Sequence, residues 1–413
     1  MRRILIAGVL AEVAARRDSL SLAAFENVLS DTARSILAVP LADRYLIARA
    51  EDRQPGSSWI NGGLMCTGYP GVDLLEAAAT QAARAMFGAA WVDFRPLSGL
   101  HATICTVTTM TAPGELVYSI DPVQGGHFAT RGLLESTGRA SAYLPWCDGT
   151  VDLTAFAAQW ARLPGRMVLF DHGIPQRAIP VAEIRAVVGA EALLVYDASH
   201  TLGLIAGGAF QDPLAEGCDV LQGNTHKSFP GAHKGLVAFA NVAVGRAMSD
   251  GMGGALVSSQ NTGATLANFV TTLEMLDHGH GYAAQMLTNR AALASALRAE
   301  GGEVRDGGTH ILLVDSISSR CGYDLAADLI ACGIHLNARP IGGQVLLRLG
   351  VQEVTRRGLG ADDLSGLAAL IGRVARDGVS SRLRADVVAL ARAFPRVHYS
   401  FDEFSTRGEQ RLA

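Results

Sequence analysis

The sequence predicts an α/β fold: a large domain with a mostly parallel sheet covered by helices, followed by a smaller C-terminal α+β domain. Three observations carry this. Between about residues 90 and 225, short apolar β-rich runs alternate with segments of helical period, the pattern that strand–helix–strand crossovers impose. Past about residue 290 the alternation gives way to two strand-like runs among amphipathic helices. The chain has 413 residues, 49% hydrophobic and 18% charged, enough for a large buried core spread over two domains.

In chain order, a helical N-terminal arm is expected over 8–30 and an irregular Gly- and Pro-rich stretch, of the kind that wraps something, over 31–70. Apolar spacing then predicts a helix over 72–88 with a Gly stop. Strands are expected over 91–94, 116–120, 166–170, 192–196 and 220–222, with helices from about His101 and near 181–188. A long connecting helix is expected over 265–294. After it come strands over 310–314 and 344–349 and helices over 323–332, 361–376 and 381–394. The domains so drawn are an N-terminal arm and wrapping segment (1–70), a large domain (71–290) and a small one (291–413).

Composition excludes several classes. Net charge is only −4 and no Lys/Arg block stands out, which argues against nucleic acid and acidic membrane surfaces as partners. The six cysteines are scattered with no C-x-x-C pair, and the apolar run after Met1-Arg2-Arg3 is short. This reads as a reducing cytoplasm, with no signal peptide and no transmembrane span. Asp277-His278-Gly279-His280 lacks a matching Cys/His cluster and reads as a loop rather than a metal site.

The chain has two lysines, Lys227 and Lys234, both within 225–235, while 33 of its 35 cationic residues are Arg. A lysine kept against that preference points to amine chemistry, since an amine can lose its proton and form a Schiff base and a guanidinium cannot. A Schiff-base cofactor such as pyridoxal phosphate (PLP) has further needs. A carboxylate for the pyridine nitrogen is available at Asp197, which ends Leu193-Leu194-Val195-Tyr196, a place that equally suits a helix N-cap. Ser98-Gly99, between a strand and a helix, fits a phosphate loop and also an ordinary N-cap. His127 and His200 are candidates to stack on the ring. Arg348, inside Val345-Leu346-Leu347-Arg348-Leu349-Gly350, would be costly to bury without an anion such as an α-carboxylate.

In that order these motifs resemble the serine hydroxymethyltransferase family of fold-type I (aspartate aminotransferase-like) PLP enzymes, which includes threonine aldolases and transaldolases. Leu22-Ala23-Ala24-Phe25-Glu26-Asn27 is similar to its IASEN motif. Val72-Asp73-Leu74-Leu75-Glu76 through Met86-Phe87-Gly88-Ala89 resembles VD-x-x-E ending in LFGA, and Pro96-Leu97-Ser98-Gly99 resembles P-x-SG. Gln124-Gly125-Gly126-His127 is similar to HGGH, Asp197-Ala198-Ser199-His200 to D-x-x-H and Thr225-His226-Lys227 to THK. Arg348-Leu349-Gly350 with Thr355-Arg356-Arg357-Gly358 resembles R-x-G…TTRG.

The resemblance implies a PLP cofactor held by Lys227, paired through Asp197 and stacked by His127. Cofactor contacts would come also from Ser98, Gly99, His172, His200, Thr225 and His226. It further implies an amino-acid substrate bound by Arg348, with Glu26 as acid/base at the β-carbon. Glu26, and Tyr45 with it, would reach in from the partner of a homodimer. Lys234 has no catalytic counterpart and reads as structural. The chain departs from the family where Met65-Cys66-Thr67-Gly68 replaces its paired tyrosines, at Gln124, at Asp171-His172-Gly173, where His172 stands in for a serine, and in the short 338–343 segment. These departures weigh against tetrahydrofolate and leave PLP in place. Three functions stay open. The first is aldol-type Cα–Cβ cleavage or formation with hydroxymethyl or aldehyde transfer, free of folate. The second is a diverted biosynthetic enzyme carrying out β-elimination or decarboxylation-coupled deamination, as in lincosamide pathways. The third is a non-catalytic PLP-binding regulator.

Overall fold

The computed structural model describes residues 2–401, which divide into two compact units. One comprises Leu29–Ala283 with the residues from Tyr399; the other comprises the chain up to Val28 with Ala284–His398.

The first unit is built on a seven-stranded sheet. Its strands are β1 (Trp91–Asp93), β2 (Leu116–Ser119), β3 (Ala140–Tyr143), β4 (Met167–Phe170), β5 (Leu193–Asp197), β6 (Val220–Asn224) and β7 (Gly235–Phe239), in spatial order β1-β7-β6-β5-β4-β2-β3. The run from β6 to β3 is parallel, and β7 is antiparallel to both its neighbours. β4 and β7 are buried along their whole length, so they read as continuous apolar runs, as strands covered on both faces do. Trp91, Val117, Leu169, Val195, Val220 and Phe239 join Met248 and Met252 in one core cluster. Each such side chain contributes about 1.5–3 kcal/mol by leaving water. The expected helix over 72–88 is Pro70–Phe87, stopped by Gly88 at φ 59, a left-handed conformation that glycine adopts without strain.

The second unit carries an antiparallel sheet of β8 (Gly302–Val304), β9 (Ile311–Ile317), β10 (Asn337–Ile341) and β11 (Gln344–Gly350), in order β8-β9-β11-β10. β10 and β11 meet through Gly342 and Gly343 at φ +58 and +84, the two-residue turn that matches strand twist. Helices Gly322–Ala331, Ala361–Asp377 and Ser381–Ala393 belong to the same unit.

Several expectations need correction. The N-terminal helix is Arg2–Arg17, not 8–30, because the next residues are extended: Leu20–Ser21 pairs parallel with Ile334–His335, and Leu20, Leu22 and Ala24 are fully buried. That pairing accompanies the grouping of the chain up to Val28 with the C-terminal residues, while 29–70 groups with the large sheet. The stretch read as irregular holds a hairpin, Ser58–Asn61 with Leu64–Thr67, turned by Gly62 and Gly63. Asp277–His280 is helical, inside Thr262–Ala299, where the surrounding i→i−4 ladder overrides the glycines. Among the described residues no helix is long and apolar enough to cross a membrane.

Candidate active site

Parallel strands end on one edge of the sheet, and a pocket opens there, as open α/β sheets favour. β5 delivers Asp197 to it, β6 delivers Asn224, and Asp171 follows β4; Lys227 sits three residues past β6. Lys227 Nζ lies 3.2 Å from His200 Nε2, so the D-x-x-H and THK motifs meet in this pocket.

Asp197 is oriented by its neighbours. Its Oδ1 accepts from the Ser199 amide at 2.8 Å, while Gln222 Nε2 and Thr103 Oγ1 approach Oδ2 at 3.4 and 3.5 Å. Gln222 is fully buried, donates to Thr103 Oγ1 at 2.8 Å and accepts from Thr106 Oγ1 at 2.6 Å. The carboxylate is thereby held by neutral donors at a wall of the pocket.

The start of helix Gly99–Met110 also lines the pocket. Ser98 caps it, accepting from the His101 amide at 3.0 Å, and the Gly99 amide donates to Asn224 Oδ1 at 2.8 Å. A Cβ on Gly99 would lie 2.5 Å from Asn224 Nδ2, so this approach needs glycine. The helix terminus brings amide N–H groups and partial positive charge to the pocket.

His127 lines the pocket from a loop held by Asp171, whose Oδ1 accepts from the Ile120 amide at 2.9 Å and whose Oδ2 accepts from the His127 amide at 3.3 Å. Burial pushes the Asp171 carboxyl up to about 7, opposed by bonds from Thr130 and the Ile120 amide. A Cβ on Gly126 would fall 1.9 Å from Ile120 O, which fixes the glycine of this loop. The His127 ring stacks on Phe128, 4.8 Å between centroids, and buried His172 turns edge-on to Trp146 at 5.1 Å.

The pocket thus gathers Gly99, His127, His172, Asp197, His200 and Lys227. Ser98, Thr225 and His226 lie beside it and shape it from within the backbone: Thr225 Oγ1 donates to Ala232 O at 2.7 Å, and the His226 ring rests on that of His233 at 4.0 Å. Burial first, then His233, lowers the His226 imidazole to about 3. Tyr45 lines a different pocket with Trp59, Met65 and Tyr69, its hydroxyl 3.0 Å from Ser258 Oγ.

Glu26 and Arg348 belong to the second unit. Arg348, on β11, is buried; its Nε donates to Asn337 Oδ1 at 3.2 Å and its guanidinium lies 5.6 Å over the Phe25 ring. Burial, then Arg339, lowers it to about 9. Glu26 accepts from Ser21 Oγ at 3.3 Å and faces Arg16 at 3.8 Å.

Sequence reasoning missed Thr103, Asp171, Gln222 and Asn224. A usable signal existed for two of them: Gln222 is a polar residue inside an apolar strand, and Thr103 falls one helical turn past Gly99. The pocket's amine, carboxylate, helix terminus and imidazole are the donor set that PLP requires.

The serine hydroxymethyltransferase family model matches residues 5–371. The chain is 37% identical over 398 residues to a fluorothreonine transaldolase of Streptantibioticus cattleyicolor, covering 94% of this chain and 62% of that protein, so it spans less than two thirds of that relative. It is 33% identical over 417 residues to a serine hydroxymethyltransferase of Pyrobaculum calidifontis, covering 94% and 91%. A solved structure, L-threonine transaldolase from Pseudomonas fluorescens in its internal aldimine state, superposes with a TM-score of 0.89 at 28% identity, covering 99% of this chain and 96% of that one. The fold is that of fold-type I PLP enzymes, and PLP is the cofactor.

Proposed function

Because the chain belongs to the serine hydroxymethyltransferase family, we propose that it is a PLP-dependent transferase that breaks and makes the Cα–Cβ bond of a β-hydroxy amino acid, passing the aldehyde fragment without tetrahydrofolate. The observation that supports this is the segment where the family's tyrosine pair is expected. Hairpin Ser58–Asn61/Leu64–Thr67 stands there with Ile60, Leu64 and Met65 exposed, and the segment before Arg348 is a tight Gly342-Gly343 turn. A pterin needs a flat aromatic wall and satisfied polar edges, and losing them costs several kcal/mol, roughly the gap between micromolar and millimolar binding. The transaldolase names of two similar proteins support the same reading.

The cofactor, when bound, supplies the electron sink that lets a Cα bond break. The chain's residues do the rest. Lys227 would hold the cofactor through its amine, which the substrate amine would displace. Asp197 would keep the ring nitrogen protonated, and the Gly99 helix terminus with Ser98 would receive the phosphate. His127 would cover the ring, with His172, His200, Thr225 and His226 completing its surroundings. Arg348 would take the substrate carboxylate, and Glu26, reaching in with Tyr45 from the partner of a homodimer, would take the β-hydroxyl proton as the aldehyde leaves. A homodimer is part of the proposal, supported by the exposed Ile6, Val9, Leu10 and Val13 on one face of helix Arg2–Arg17. A cytoplasmic location fits six cysteines that are all unbridged.

Calorimetric titration of the PLP-loaded protein with tetrahydrofolate, with glycine present, is the test. No micromolar binding is expected. Micromolar binding overturns the folate-free reading and restores hydroxymethyl transfer through folate.

A further inference from the structure

The second lysine is not on the surface. Lys234 is 1% exposed, and its Nζ donates to Gln260 O and to Thr265 Oγ1, each at 2.5 Å. Thr265 Oγ1 sends its own proton to Gln260 O at 2.8 Å, so the amine meets two acceptors. A neutral amine has two N–H donors and matches them, whereas a guanidinium brings five donors and cannot shed its charge. This explains why a chain with 33 arginines keeps a lysine here. Burial lowers the Lys234 amine to about 7; Asp93 and Glu76 oppose the shift and Arg95 adds to it.

Lys234 also closes the loop that bears Lys227. Its backbone O accepts from the Thr225 amide at 3.0 Å and its amide donates to Thr225 Oγ1 at 3.2 Å. The residues between, 226–233, are therefore hung from one closed ring of bonds. Asn268 Nδ2 binds the same Thr225 Oγ1 at 3.0 Å, and Ser228 Oγ accepts from the Gly203 amide at 3.0 Å. On its far side Gln260 reaches the segment carrying Tyr45: its amide donates to Leu46 O at 3.2 Å and its side chain donates to Ala48 O.

We propose that Lys234 is a positioning residue that anchors the loop of Lys227 to the start of helix Thr262–Ala299 and, through Gln260, to the segment of Tyr45, so that it sets the placement of the cofactor-bearing amine. It acts through Lys227 and does not touch the substrate. The inference rests on the assignment of Lys227 as the cofactor lysine.

The experiment first maps the borohydride-trapped cofactor in the wild-type holoenzyme. A label on a residue other than Lys227 sinks the assignment and this inference with it. Given the label at Lys227, Lys234→Met removes both donors at similar length. It should still bind PLP, yet its visible band should titrate with pH at a midpoint displaced by about one unit, and kcat should fall about tenfold as loss of the two buried hydrogen bonds loosens the Lys227 loop. Lys234→Arg should not restore either value. A Lys234→Met enzyme with the wild-type pH titration and kcat overturns this inference while leaving the function reading intact. Should that variant fail to fold, Thr265→Val removes one acceptor and leaves the amine. It should displace the same midpoint in the same direction by a smaller amount, and an unchanged midpoint overturns the inference.

Discussion

Replacing Arg348 by lysine keeps the charge and removes the fork. In the structure the guanidinium plane is set on one side by the bond from Nε to Asn337 Oδ1 and on the other by the Phe25 ring. Lysine can keep neither the Nε bond nor the planar stack, and it cannot offer a carboxylate two parallel N–H donors. Exchange of a bidentate for a single charge-assisted contact, with the donor no longer held in plane by Asn337, costs about 2–3 kcal/mol of amino-acid binding. That corresponds to a roughly 30- to 150-fold weaker amino-acid Kd. The same burial that lowers the Arg348 guanidinium to about 9 makes an arriving anion worth more than it would be in water. The assay is a spectral titration of PLP-loaded Arg348→Lys with the amino acid, with PLP content measured separately. Cofactor content should stay at the wild-type level. Loss of PLP together with amino-acid binding would make Arg348 a structural residue, and weakening by less than about threefold would remove it from the substrate site.

Other outcomes follow from the same geometry. The purified protein should absorb at about 420 nm, and Lys227→Ala should abolish the borohydride-reducible adduct. Asp171 is raised to about 7 from 3.8, so between these values the native state alone holds its proton. The stability it lends is full below about pH 4 and is lost as pH rises through about 7, at about 1.4 kcal/mol per unit. Asp171→Asn does not titrate, so denaturant unfolding should show wild type losing stability relative to this variant between about pH 5 and pH 8, and equal differences at both would contradict the shift. Asp197→Ala should keep the trapped adduct at Lys227 but lower kcat by at least about a hundredfold, read by steady-state kinetics against KM.

Much of this was legible because the informative signals are local. A strand end and the loop after it lie within a few residues at Asp197–His200 and at Asn224–Lys227, and the structure brings both motifs to one pocket. Where side chains alternate poorly, the pattern carried nothing. In the 58–67 hairpin Trp59 is the one buried residue, so no period of two marks it, although Gly62-Gly63 was the turn signal to heed. β10 holds Pro340 and lies at the sheet edge, where proline is tolerated and a strand reading is weakened. Lys234 was read as structural, and its burial, its two acceptors and its link to the Tyr45 segment are long-range facts that no spacing encodes. The roles of Asp171 and Gln222 likewise depend on partners 44 and 119 positions away.

The most direct test of aldehyde transfer supplies the PLP-loaded enzyme with L-threonine and a second aldehyde, with folate excluded, and quantifies both acetaldehyde and the new β-hydroxy amino acid. The account predicts that the two appear in equal amounts and that Lys227→Ala yields neither. No new amino acid without folate, or release of ammonia or carbon dioxide in place of acetaldehyde, would contradict it.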